Sequence, residues 1–242
     1  PIWSINIKDG ARRMLTGPGS VTEFDVAGDR ILFAMQSLTS PVDLYLIAGR
    51  AAPRRLTVLN AVRLADVRFG EPEQFSFAGA GGEQVYGYVV KPWNWEPGKK
   101  YPVAFIVHGG PQSSYANTWS YRWNPQIYAG AGYAAVFIDF HGSQGYGQAF
   151  TDSISGDWGG KPLEDLKKGL AAAGERYPWL DRDRACALGA SYGGYMMNWI
   201  AGNWPDGFRC LVNHAGVFDH RTMYYSTEEL WFVEWDQGGP YY

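Results

Sequence analysis

The run Ala185-Cys186-Ala187-Leu188-Gly189-Ala190-Ser191-Tyr192-Gly193, continuing into Gly194 to Ala201, decides the fold. Ala185 to Leu188 is a continuous apolar strand and Gly194 to Ala201 carries helical patterning, so the residues between them form a tight strand-to-helix turn with a serine at its apex. With 31 glycines in 242 residues, a G-x-S-x-G pattern is expected by chance about 0.2 times, which is weak evidence by itself, and the flanking strand and helix give it meaning. The chemistry needs a serine oxygen projected from a sharp turn. Gly189 and Gly193 let the backbone close up where a Cβ would clash, and the following helix aims its N-terminal dipole and free N–H groups at Ser191. Ser191 is therefore the candidate nucleophile, with the backbone N–H of Tyr192 as a candidate oxyanion donor. The alternative is a glycine-rich turn carrying a solvent-facing serine.

Outward from this turn, His108-Gly109-Gly110-Pro111 closes the buried strand Val103 to Val107. A loop at that place can supply a second oxyanion donor, read here as the backbone N–H of Gly110. The alternative is a loop whose glycines serve only positive φ. His108 precedes the serine, whereas the triad order on such a sheet is serine, acid, histidine; it is expected to pack or hydrogen-bond beneath the loop rather than act as base. His141-Gly142-Ser143-Gln144-Gly145-Tyr146-Gly147 follows the strand ending at Asp139, at the same sheet edge. That makes His141 and Tyr146 candidate pocket residues, against a plain glycine-rich loop.

From Glu71 onward, strands and helices alternate. A hairpin, Gln74 to Ala78 and Gln84 to Val90, leads through a tryptophan- and proline-rich connector to apolar strands at Val103 to Val107, Tyr133 to Ile138, Ala185 to Leu188 and Cys210 to Val212. Helices fit at Asn124 to Ala129, Leu163 to Ala173 and Gly194 to Ala201, and the alternation predicts an α/β fold, a mostly parallel sheet with helices on both faces. The first 68 residues differ. Short strands at Trp3 to Ile7, Val21 to Val26, Ile31 to Gln36, Leu44 to Ala48 and Arg54 to Thr57 are separated by glycine and proline turns. An offset of 41 positions lays Trp3 on Leu44, Ile5 on Leu46, Arg13 on Arg54, Leu15 on Leu56 and Thr16 on Thr57. That period suits a propeller blade, so residues 1–68 are expected to be the end of a β-propeller and residues 69–242 the N-terminal portion of a catalytic domain. A small sheet packed on the following domain is the alternative.

Composition removes other classes. Hydrophobic residues make up 46% of the chain and charged residues 19%, with a net charge of −3, as in ordinary globular proteins. No basic footprint invites nucleic acid, and no apolar run approaches the roughly 18 residues of a membrane span. No metal- or cofactor-binding pattern is read. Cys186 and Cys210 lie in apolar runs, where buried free thiols are the expectation. The chain begins at Pro1 with neither initiator methionine nor signal-type leader, so Pro1 is not expected to be the start of translation.

The strings HGGP (108–111), GSQGYG (142–147), DWGGKPLEDL (157–166) and GASYGGYMMNW (189–199) resemble the prolyl oligopeptidase family of serine peptidases, in its acylaminoacyl-peptidase and dipeptidyl-peptidase V branch. Similarity around CLVNHAGVFD (210–219) and ELWFVEWDQGGP (229–240) favours the dipeptidyl-peptidase V group, and the resemblance extends over nearly the whole chain. It implies a β-propeller followed by an α/β-hydrolase domain, short peptides as substrates, and hydrolysis through an acyl-enzyme. It also weakly favours a periplasmic or secreted location. His141 stands where many relatives carry arginine, which puts any substrate contact of that arginine in doubt.

The triad acid and base are harder to place. Asp206, Asp219, Asp236, His214 and His220 follow Ser191, but the resemblance implies an acid and a histidine further downstream. Asp219 and His220 are adjacent, too close to act across two loops, and His214 reads as structural. The chain is thus expected to be part of a longer enzyme whose remaining blades and triad segment are its partners, and to be inactive alone. A homo-oligomer is compatible with this reading. An acylaminoacyl-peptidase or carboxylesterase, and a noncatalytic interaction module, stand as alternatives.

Overall fold

Alternating side chains on two central strands explain the layering. The computed structural model describes residues 1–242. On β9 (Tyr101–Val107), Val103, Phe105 and Val107 point into one core, whereas Ile106 points into another; on β10 (Ala134–Asp139), Ala134, Val136 and Ile138 part in the same way from Ala135 and Phe137. Each strand is buried on both sides, so its sequence reads as an unbroken apolar run. The first core gathers 26 buried residues and the second only 6, so one face is covered far more heavily than the other. Truncating a fully buried side chain of the larger core, such as Phe105, to alanine is expected to cost about 3–5 kcal/mol.

The other elements, numbered in chain order, are β1 (Trp3–Ile5), β2 (Arg12–Met14), β3 (Ser20–Ala27), β4 (Arg30–Ser37), β5 (Ser40–Ala48), β6 (Arg54–Arg55), α1 (Ala61–Leu64), β7 (Pro72–Ala78), β8 (Gln84–Val90), α2 (Pro125–Gly130), α3 (Gln148–Asp152), α4 (Lys161–Arg176), β11 (Leu180–Ala190), α5 (Tyr192–Asn203), β12 (Cys210–His214), α6 (His220–Ser226) and α7 (Leu230–Gln237). The main sheet has six strands in the order β12-β11-β9-β10-β8-β7. Its β12-β11, β11-β9 and β9-β10 pairs are parallel, and the hairpin strands β8 and β7 join antiparallel. Helices α4 and α5 cover the heavy face. Leu163, Leu166, Leu170 and Ala173 form the buried stripe of α4, at the three- and four-residue spacing of one helix side. Helix α2 covers the other face through Ala129, assisted by Leu38 from the β4–β5 turn. No helix is long and apolar enough to cross a membrane.

The register sets the position of the site. Val107 pairs with Gly189, and Ala190 pairs with His214, so the segments after β9, β11 and β12 leave the sheet side by side. The elements missed in the sequence, β2, α1, α3, α6 and α7, are short or lack a clean apolar stripe, which hides them from periodicity.

The cysteines correct an expectation. Cys186 and Cys210 are register partners on β11 and β12, 4.7 Å apart at Cα, and are joined in a disulfide rather than buried as free thiols. Outer strand β12 pairs only with β11, so Cys210 is exposed despite its apolar neighbours. Adjacent parallel strands bring the two residues to neighbouring positions, a proximity that a separation of 24 residues does not reveal.

Strands β3 to β6 form a separate four-stranded antiparallel meander, and β1 pairs with β2. The 41-residue offset lays β1 on β5 and β2 on β6, both antiparallel pairs. It also lays Thr16 on Thr57, whose hydroxyls each accept a backbone N–H from the facing segment, from Ile2 at 2.9 Å and from Leu44 at 2.9 Å. The acceptor threonine thus recurs at the 41-residue offset, while its donor, Ile2 or Leu44, recurs one position later.

Candidate active site

Ser191 adopts φ 56° and ψ −117°, a conformation that L-residues other than glycine avoid, at the junction of β11 and α5. Holding a serine there costs of the order of 1–3 kcal/mol, supplied by the packing on either side. Close approach explains the flanking glycines. A Cβ on Gly189 would lie 2.5 Å from the Gly193 carbonyl carbon, and one on Gly193 would collide with the Val107 carbonyl oxygen. The Ser191 N–H donates to the His214 carbonyl at 3.0 Å, tying the turn to the end of β12.

Tyr192 is anchored from the opposite side. Its buried ring packs on Phe140 and Trp158, and its hydroxyl donates to the Trp158 carbonyl at 2.6 Å. Burial pushes its pKa well up, so the phenol stays protonated. Only its backbone is left for the site, and the N–H of a first helical residue has no intrahelical acceptor.

The loop after β9 lies against the serine, since a Cβ built on Gly109 would sit 3.4 Å from Ser191 Cβ. Gly110 has φ 125° and precedes Pro111 through a cis peptide bond; its N–H makes no hydrogen bond within the chain. His108 lies beneath the loop, its Nδ1 2.8 Å from the Gly109 carbonyl oxygen and its Nε2 2.9 Å from Ser143 Oγ. Burial lowers the His108 pKa, partly opposed by the Asp139 charge and the bond to Gly109. Asp139, at the end of β10, accepts from Ser114 Oγ (2.7 Å), the Tyr115 N–H (3.2 Å) and the Tyr146 hydroxyl (2.6 Å). These bonds hold the loop to the sheet.

A cleft of about 300 Å³ opens over Ser191, lined by Gly109, Gly110, Tyr115, Trp123 and His214 among others. Burial pushes the Tyr115 pKa up to about 12, so the cleft presents a neutral phenol. Tyr115 and Trp123 were missed in the sequence because the segment after HGGP carries no periodicity. An aspartate closing the apolar strand Ala134–Asp139 was the available signal for Asp139.

His141 and Tyr146 do not line this cleft, which corrects their reading as pocket residues. His141 is fully buried; its backbone N–H and Nδ1 both meet Asp165 Oδ2, at 2.7 and 2.6 Å, and its ring stacks on Phe150. The Asp165 carboxylate, presented by α4, draws the ring inward. Tyr146 is turned toward Asp139, which its hydroxyl bonds.

Among the later acids and histidines, only His214 reaches the cleft. Its ring is edge-on to Trp123, and neither it nor Ser191 Oγ has a side-chain hydrogen bond. His220 packs against Trp158 and Tyr195, and burial lowers its pKa. Asp219 caps α6, and Asp206 lies in a separate polar cleft with Arg182 and Arg209. Asp236 is buried on α7, where it accepts from Trp158 Nε1 and Gln112 Nε2; burial pushes its pKa up. No acid–histidine pair faces Ser191.

Known proteins share this arrangement of sheet and loops. The chain is 48% identical over 169 residues to dipeptidyl-peptidase 5 of Schizosaccharomyces pombe, covering 69% of this chain and 25% of that protein. It is 35% identical over 245 residues to dipeptidyl-peptidase 5 of Porphyromonas gingivalis, covering 100% and 35%. An acylaminoacyl peptidase solved in complex with Z-Gly-Gly-Phe-chloromethyl ketone superposes with a TM-score of 0.84 at 30% identity, covering 95% of this chain and 36% of that one. The chain therefore spans between a quarter and about a third of the length of these curated relatives. A model of the prolyl oligopeptidase family matches residues 119–242, a span that contains the Ser191 turn, β12 and α7, and on that match the chain belongs to the prolyl oligopeptidase family.

Proposed function

We propose that Ser191 is the nucleophile of a serine peptidase of the dipeptidyl-peptidase type, which hydrolyses short peptides through an acyl-enzyme. The observation that carries this reading is the strained backbone of Ser191, φ 56° and ψ −117°, between β11 and the N-terminus of α5. A noncatalytic module has no use for a serine held at such a cost. Ser191 Oγ attacks the scissile carbonyl carbon, and the oxygen, as it becomes anionic, accepts the N–H groups of Gly110 and Tyr192. Each donor lowers the barrier by about 3–4 kcal/mol. The Ser191 proton passes to a histidine supplied from outside residues 1–242 and on to the amine nitrogen as the C–N bond breaks. Water, deprotonated by the same histidine, then releases the acyl group as a carboxylic acid while the proton returns to Ser191 Oγ.

Ser191 Oγ has no hydrogen-bonded base, and the outer edge of β12 is unpaired. In this reading, further strands beside β12, from a segment outside residues 1–242, bring the acid and the histidine to the cleft. Residues 1–68 are likewise the end of a β-propeller, with β3 to β6 as one blade, and residues 69–242 are part of the hydrolase domain. The relatives' names support dipeptide release. The superposed acylaminoacyl peptidase favours a second reading, release of a blocked residue.

The test uses the full-length protein and compares a dipeptidyl amide with its N-acetylated form. Preferential cleavage of the free amide is expected, and Ser191→Ala should lower it by at least about 10⁴-fold with folding intact. Preference for the acetylated substrate would establish the second reading. Near-normal hydrolysis by folded Ser191→Ala would remove Ser191 from the mechanism.

A further inference from the structure

The hydrogen bonds of His108 determine where its proton sits. The Gly109 carbonyl oxygen, 2.8 Å from Nδ1, can only accept, so in the neutral ring Nδ1 carries the hydrogen. The other tautomer would set a lone pair against that oxygen. Nε2 is then an acceptor, and Ser143 Oγ, 2.9 Å away, donates to it. Ser143 is itself fully buried and has no other side-chain partner. Asp139 Oδ1 is 4.0 Å from Nε2, too far to take Ser143's place.

The Gly109 carbonyl and the Gly110 N–H belong to one planar trans peptide unit, so holding the oxygen fixes the opposite direction of the N–H. Stacking on Phe140 at 4.2 Å restrains the ring from tilting out of its plane, and the bond to Ser143 Oγ restrains its rotation within that plane. Ser143 is held as firmly: its N–H donates to the Phe140 carbonyl at 2.9 Å, and its carbonyl accepts from Thr151 Oγ1 at 3.1 Å. The next residue, Gln144, donates its N–H to the Ser113 carbonyl at 2.9 Å, which joins this loop to the one carrying Gly110.

We propose that Ser143 is a positioning residue for the oxyanion site. Its hydroxyl donates to Nε2 and anchors the ring in the tautomer that the Gly109 carbonyl selects, His108 clamps that carbonyl, and the clamped peptide aims the Gly110 N–H at the developing oxyanion. The proposal rests on Gly110 being an oxyanion donor. Without the Ser143 hydroxyl, the buried Nε2 loses its only donor and the ring loses the bond that anchors its far edge, which loosens the hold of Nδ1–H on the Gly109 carbonyl. Gly110, having no Cβ, then offers little resistance to rotation of the peptide.

The experiment uses the full-length protein. Ser143→Ala should lower kcat about 10- to 100-fold, less than outright loss of a donor, with KM within about threefold of wild type. Affinity for a peptidyl boronic acid, whose adduct is tetrahedral, should fall by a similar factor. Ser143→Thr keeps the hydroxyl and should restore most of kcat. In His108→Asn the amide nitrogen can replace Nδ1 as donor to Gly109, so adding Ser143→Ala to that variant should change kcat less than about twofold. Should Ser143→Ala not fold, Ser143→Cys, a weak donor, should show a smaller loss of kcat in the same direction. A folded Ser143→Ala or Ser143→Cys protein with wild-type kcat would overturn the proposal, as would a loss confined to KM. A structure of the wild-type boronate adduct separates the two levels. If the Gly110 nitrogen lies beyond about 3.1 Å from the boronate oxygen, the oxyanion reading itself fails. If that contact is present while Ser143→Ala keeps its kcat, only the relay fails.

Discussion

The loops after β9 and β12 both reach Ser191, yet they are built in opposite ways. In the first, His108 bonds Gly109 and Ser143, Asp139 collects Ser114, Tyr115 and Tyr146, and a stacked aromatic pair closes the floor. In the second, His214 is exposed and its side chain bonds nothing, while the outer edge of β12 is free. In the proposed reading the oxyanion side is assembled within these residues, whereas no acid–histidine pair faces Ser191. Electrostatic stabilisation depends on dipoles fixed before the reaction, so a rigid loop suits that role. A base depends on a partner to orient it, and His214 has none.

The sharpest way to break this contrast is to express residues 1–242 alone. Turnover of a dipeptidyl amide should fall at least about 10³-fold below that of the full-length protein, because an oxyanion site without an oriented base retains only a small part of the rate. The open edge of β12 should also promote aggregation, measurable by light scattering. Rapid stoichiometric labelling of Ser191 by a fluorophosphonate, with turnover near that of the full-length protein, would place a base within these residues.

A second measurement asks what holds β12 beside the turn. Cys210→Ser removes the link to Cys186 and should lower stability by about 3 kcal/mol, read as a shift in the denaturant midpoint. An unchanged midpoint would mean that strand pairing alone holds the edge.

The rigid loop should also respond to acid. Burial lowers the His108 pKa below its ordinary 6.5, so below pH 6.5 the unfolded chain takes up a proton that the folded chain refuses. Stability should therefore fall as pH drops from about 6.5 toward the folded pKa, by up to about 1.4 kcal/mol per pH unit from this group. His108→Asn should flatten the slope between pH 6.5 and 5, and an equal slope in wild type and variant would contradict it. The smallest effect is expected at the loose loop. His214→Ala should change kcat/KM by less than about tenfold, whereas a loss above 10³-fold would make His214 the base.

Legibility followed the range of the interactions. The Ser191 turn could be read because its requirements are local: a strand before, a helix after, and small residues where backbones touch. The alternation of apolar runs likewise disclosed the sheet and its helices. The disulfide was misread because an apolar run looks alike on a buried strand and on an outer one with an open edge. His141 was misread because nothing near it in sequence shows that Asp165, on α4, will draw its ring inward.

By itself the sequence determined the α/β order, the serine turn, the HGGP loop and the 41-residue repeat, since each rests on periodicity or on residues a few positions apart. Only the tertiary structure decided the strand order β12-β11-β9-β10-β8-β7, the pairing of Cys186 with Cys210, the retreat of His141 and the contact of Ser143 with His108 across 35 residues. These depend on which strands become neighbours. That choice is made when both faces of the sheet are buried at once, and no local pattern encodes it.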